Sequence, residues 1–217
     1  MSHYTDPDFD HAALITIDTQ RDVLDGAPCE IPGTSAVLPA IRRLCDATRA
    51  RGLPTVHIVR LYEPDGANAD LIRRQPIERG AQILIAGTPG CELAPQLLSS
   101  PAELDHEALL AGQIQQLHPG EVAIYKPRWG AFYRTPLEAH LHALKVTTLI
   151  FCGCNFPNCP RTSIYQASER DFRVVLATDA ISGLYERGER ELEGIGVSLM
   201  STAGVLDAIS LLQTSSP

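Results

Sequence analysis

Residues 146–171 read VTTLIFCGCNFPNCPRTSIYQASERD, and their order decides the fold class. Residues 146–152 are apolar and rich in β-branched side chains, the pattern of a buried strand; residues 153–158 form a tight turn, and from Pro160 onward the spacing is helical. Cys159 therefore stands where a strand hands over to a helix. Pro160 suits the first helical turn, which puts Cys159 at the N-cap. A thiol there feels the positive end of the helix dipole, which favours the nucleophilic thiolate.

Working outward, strand-like runs recur at residues 12–17, 54–61, 121–125 and 172–177. Between them, residues 34–51 carry helical spacing closed by Gly52, and Thr135, Pro136 and Glu138 form a capping signature for a helix to about Ala143. Residues 189–199 and 205–212 read as closing helices. Strands alternating with helices imply an α/β fold with a parallel sheet. The whole of residues 1–217 reads as a single domain, with a polar arm at 1–11 that serves as a lid or an oligomer contact. Residues 62–118 are an irregular excursion, with a helix expected within 105–116, and form a lid or an interface.

Composition bounds the function. With 26 acidic against 18 basic residues and a formal net charge of −8, the chain is not built to attract nucleic acid or an anionic membrane. The polar start MSHYTDPDFDHA does not read as a signal peptide, and no apolar run approaches the roughly 18 residues of a membrane span. A cytoplasmic protein is expected. Cysteines 29, 45, 91, 152, 154 and 159 are then expected as reduced thiols.

Asp18, Lys126 and Cys159 each follow the carboxyl end of a different expected strand, and a parallel sheet gathers such ends along one edge. Their chemistry is complementary: a thiol attacks a carbonyl as thiolate, so it needs a base, Asp18, and a cation, Lys126. The plainer alternative is an Asp cap, a solvated Lys and an inert buried Cys. His57 reads as a core histidine, and Arg60, at a strand's carboxyl end, as a substrate contact.

These residues carry a resemblance. Leu14-Ile15-Thr16-Ile17-Asp18-Thr19-Gln20, then Tyr125-Lys126-Pro127-Arg128 with Phe132, Gly153 with Cys159, Ala167, and Asp179-Ala180 are similar in order and spacing to the isochorismatase-like cysteine hydrolases. That group includes nicotinamidases, N-carbamoylsarcosine amidohydrolase, biuret hydrolase and peroxyureidoacrylate amidohydrolase. The resemblance implies a Rossmann-like three-layer sandwich whose central, mostly parallel sheet has about six strands. It also implies a Cys159–Asp18–Lys126 triad working through a thioester on an amide, ureide or lactam, and a homodimer or homotetramer. A cis peptide between Cys154 and Asn155 would turn the Asn155 N–H toward the site, to pair with that of Cys159 as an oxyanion hole.

Departures from the family pattern narrow the reading. Where nicotinamidases carry an Asp-x-His pair, this chain has Leu61 and Glu63, and residues 62–90 hold no histidine, so neither metal nor cofactor is expected. The spacing of Cys152, Cys154 and Cys159 does not suit zinc. A cysteine nucleophile argues for C–N hydrolysis over the vinyl-ether cleavage of true isochorismatases. Nicotinamidase-type or isochorismatase-type chemistry and a noncatalytic, redox-sensing role of Cys159 are the alternatives. Arg60, Arg128 and Arg161 are candidates for binding a substrate carboxylate, Gln20 for lining the site, and Trp129, Tyr133 and Phe156 for walling the pocket.

Overall fold

The computed structural model of the protein describes residues 4–212. Its centre is one seven-stranded sheet. The strands are β1 (Ala12–Ile17), β2 (Thr55–Val59), β3 (Gln115–His118), β4 (Glu121–Tyr125), β5 (Thr148–Gly153), β6 (Arg173–Ile181) and β7 (Ser198–Met200), in the order β3-β4-β2-β1-β5-β6-β7. All pairs are parallel except β3 with β4. From β1 the chain builds outward on one side through β2 and β4, then returns to lay β5 on the other side. The carboxyl ends of β1 and β5 thus flank the switch point, where open α/β sheets open a crevice.

Alternation along the strands packs both faces of the sheet, and a third cluster joins Val59 of β2 and Ala123 of β4 to residues of the excursion. Ala13, Ile15 and Ile17 of β1 face one cluster with Phe151 and Leu176, while Ala12 and Leu14 face the other with Ile150 and Val175. Helices α4 (Leu137–Ala143), α5 (Cys159–Ser168) and α6 (Glu186–Glu193) cover the first through Leu141, Ile164 and Leu192. Helices α1 (Thr34–Arg51) and α7 (Thr202–Ser210) cover the second through Ile41, Leu44, Val205 and Ile209. The three-layer α/β reading therefore holds, with seven strands in place of about six.

The differences lie in short elements. β3 is a polar QQLH edge strand that no apolar run announces, and it follows α3 (His106–Leu110), which Gly112 stops at φ +82 well short of residue 116. Residues 62–118 also contain α2 (Leu71–Glu78). The helix expected over 189–199 is instead α6 followed by β7, because Gly196 at φ +81 breaks the helical run. The amino-terminal arm runs along the far end of the sheet from the crevice: Asp8 N–H donates to Thr148 Oγ1 at 2.9 Å and Arg173 Nε to Tyr4 O at 3.2 Å, which is no place for a lid; residues 1–3 of it lie outside the described residues. All six cysteines are free. Among the described residues, no helix is long and apolar enough to cross a membrane.

Candidate active site

Each polar group of the crevice is placed by the end of a strand. Asp18, directly after β1, adopts a left-handed conformation at φ 49, and its N–H donates to Ile58 O at 2.9 Å. Asp is among the residues that tolerate this region at modest cost. Lys126, directly after β4, is wholly buried; its N–H donates to Val59 O at 2.9 Å and its Nζ to Asp18 Oδ2 at 2.8 Å. A buried ammonium survives because the carboxylate offsets its charge. Asp18 Oδ1 is also buried but has no hydrogen-bond partner among the described residues. Such an oxygen costs on the order of 1–3 kcal/mol and is an acceptor open to a proton.

The thiol arrives from β5. Gly153 ends that strand at φ +118, where an added Cβ would stand 2.3 Å from Ile17 O, so only glycine lets β5 close against β1. Asn158 caps α5, and Cys159 is the first helical residue, one position later than its expected role as cap. Burial pushes the Cys159 thiol up to about 11; the Asp18 charge adds to this, while Lys126 and Arg60 pull it down. Burial opposes the negative charge that a helix start favours, so the surroundings of Cys159 raise its thiol rather than lower it.

Asp18 and Cys159 line one cavity of about 130 Å³, together with Arg60, Arg73, Trp129 and Asn155. This is room for several waters or a small substrate. A groove of about 520 Å³ at the opposite end of the sheet, between Tyr4, Phe172 and Val197, is larger but has neither a thiol nor a lysine in its wall.

The remaining expected site residues divide. Arg60 lines the cavity but is neutralised: its Nη1 donates to Asp70 Oδ2 and to Pro127 O, both at 3.0 Å, and its guanidinium lies 5.8 Å from the Trp129 ring centre. Gln20 is a wholly buried clamp, donating to Arg60 O and Cys91 O and accepting from Arg60 N–H, so it braces the wall without facing substrate. Phe156 is buried in the core beside Tyr185. Arg128 donates to Asn68 O and Pro127 O, Arg161 pairs with Glu191, and Tyr133 is exposed; none of the three is in the cavity wall.

His57 is a core histidine, bound to Thr16 Oγ1 and Glu121 Oε1. The cis bond before Asn155 is overturned: no peptide bond among the described residues is cis. Cys154 N–H donates to Ile17 O and Phe156 N–H to Ser182 O, so the turn is tied on both sides of Asn155 with trans geometry. Asn155 remains a wall residue.

Arg73 and Cys29 are among the lining residues that have no counterpart in the expected site. Arg73, on α2, is half-buried, and its guanidinium has no hydrogen-bonded or ion-paired acceptor among the described residues. Cys29 lines the cavity from the loop after β1, its thiol raised by burial while Arg73 pulls it down. Neither sits at a strand end, so position along the chain gave no signal for them.

A family model described as an isochorismatase domain matches residues 12–193. A protein of Arabidopsis thaliana described as a probable inactive nicotinamidase is 27% identical over 194 residues, covering 86% of this chain and 90% of its own. The ureidoacrylate amidohydrolase RutB of Methylobacterium radiotolerans is 27% identical over 187 residues, covering 77% of this chain and 65% of its own. Among solved structures, an isochorismatase family protein from Desulfovibrio vulgaris superposes with a TM-score of 0.78 at 31% identity, over 92% of this chain and 98% of that one.

Proposed function

The chain belongs to the isochorismatase family, and on that premise we propose that it is a cysteine hydrolase cleaving the C–N bond of a small amide or ureide that carries a carboxylate. The observation that carries the reading is the buried Lys126–Asp18 pair, which leaves Asp18 Oδ1 free in the cavity that also receives Cys159.

In this scheme the substrate carbonyl settles beside Cys159, and Asp18 takes the thiol proton as sulfur attacks carbon. Lys126 holds Asp18 in place and offsets the charge in the buried site. The tetrahedral oxyanion forms at the start of α5, where the Cys159 N–H and the helix dipole meet it. Asp18 then gives its proton to the departing nitrogen, and ammonia or an amine leaves. Water, deprotonated by Asp18, attacks the thioester; the C–S bond breaks, Cys159 recovers its proton, and the acid is released.

The carboxylate follows from charge. Of the two arginines in the cavity wall, Arg60 is paired with Asp70, while Arg73 has no paired acceptor among the described residues.

A screen that detects ammonia tests the reading over maleamate, N-carbamoyl amino acids, ureidoacrylate, biuret and nicotinamide, with mass spectrometry of the trapped protein. Turnover of a carboxylate-bearing substrate with an acyl adduct on Cys159 is expected. Full activity in Cys159→Ser would overturn the proposal, and silence across the screen with no adduct would overturn it in favour of a noncatalytic role.

A further inference from the structure

Away from the cavity, three side chains of the excursion between β2 and β3 converge. Cys91 closes a short helical turn, Pro89–Cys91, Glu92 follows it, and His106 opens α3. His106 Nε2 lies 2.8 Å from Glu92 Oε1 and 3.2 Å from Cys91 Sγ, while Cys91 Sγ is 3.1 Å from Thr88 O. Three short contacts thus meet on a sulfur and a ring nitrogen that carry at most one hydrogen each. Hydrogen bonds satisfy two of them and leave the third without a bridging proton.

A cation supplies what protons do not. We propose that Cys91, Glu92 and His106 form a binding site for a zinc-class divalent transition metal. A thiolate, an imidazole and a carboxylate are the donor set such an ion takes, and their ligand atoms all lie within 4.8 Å of one another. With bonds of about 2.3 Å to sulfur and about 2.0–2.1 Å to nitrogen and oxygen, tetrahedral ligands stand about 3.3–3.6 Å apart. The contacts therefore need to open by roughly half an ångström.

The surroundings hold the donors ready. Glu92 Oε2 accepts the Leu104 N–H at 2.9 Å, which orients the carboxylate from behind, and Gln20 grips the Cys91 carbonyl. Cys91 is buried, while the His106 side chain is 22% exposed, which gives the ion a way in and a solvent molecule for its fourth position. Burial and then the Glu92 charge raise the Cys91 thiol, so binding displaces its proton and releases it to solvent. The site is separate from the catalytic thiol and acts on it through structure: it staples residues 91–92 to residue 106, and Gln20 carries that restraint to Arg60.

Cobalt(II) titration of the full chain after chelator treatment tests this, because a cysteine ligand gives a thiolate-to-cobalt band in the near ultraviolet. One equivalent should produce the band in the wild type and equally in Cys159→Ser, with a Tm several degrees higher on zinc addition. Cys91→Ser should abolish the band, and His106→Asn should weaken binding at least tenfold and remove the Tm gain. If Cys91→Ser fails to fold, His106→Asn, at a partly exposed position, decides alone. No band in the wild type, or a band and Tm gain unchanged in His106→Asn, overturns the site.

Discussion

At the residue scale, the Cys159–Asp18 relation makes a prediction that separates a base from a mere neighbour. Because the Asp18 charge adds to the rise of the thiol, Asp18→Asn should lower the pH midpoint of iodoacetamide alkylation relative to the wild type. The same change removes the proposed proton acceptor and should cost about 10²–10⁴ in kcat. A thiol that titrates lower yet turns over more slowly is the signature; equal losses in alkylation and turnover would count against the scheme. Arg73→Gln should raise KM for carboxylate substrates about 10–100-fold, the 1.5–3 kcal/mol of a charge-assisted hydrogen bond, with kcat and uncharged amides little changed. Asp18, Lys126 and Cys159 were legible because each is a polar residue directly after an apolar run or a turn. Arg73 was not, since its place depends on how an irregular segment folds over the sheet, which no local pattern encodes.

At the element scale, the site depends on how closely β5 approaches β1, and Gly153 sets that distance. Gly153→Ala puts a methyl into Ile17 O and forces an L-residue to φ +118, so unfolding in urea should show a loss of about 3 kcal/mol or more. A loss below about 1 kcal/mol would mean that the seam relaxes at little cost. Elements with internal periodicity and a clear stop could be read from sequence: α1 spans Thr34–Arg51 as expected, closed by Gly52 in the left-handed region, and β4 spans Glu121–Tyr125 as expected. The misses have a common physical cause. β3 and β7 are short edge strands of four and three residues whose pairing comes from the neighbouring strand, and α2 is a polar helix of eight residues that buries only Ile77. Such elements owe their form to tertiary partners, and local sequence carries little of that information.

At the scale of the whole molecule, one buried cluster ties the helical layer to the sheet. Glu121 on β4 accepts from Arg49 of α1, with Nε to Oε2 and Nη2 to Oε1 both at 2.8 Å, and binds His57 of β2 at 2.7 Å. Burial works against the Glu121 charge, but the Arg49 and His57 hydrogen bonds win and lower its pKa from 4.5 to about 2. A carboxyl depressed on folding adds stability that is fully present above its unfolded value and is lost as protons bind the folded form. The contribution should therefore hold above about pH 5 and drain away between about 4.5 and 2. Glu121→Gln should lower stability near neutrality by about 3 kcal/mol, because it strands Arg49 and His57 without their anion. It should also flatten the pH dependence within that acid window. Urea midpoints measured from pH 7 to pH 3 for both proteins test this; parallel curves would show that the acid sensitivity of the fold arises elsewhere among its 26 carboxylate side chains.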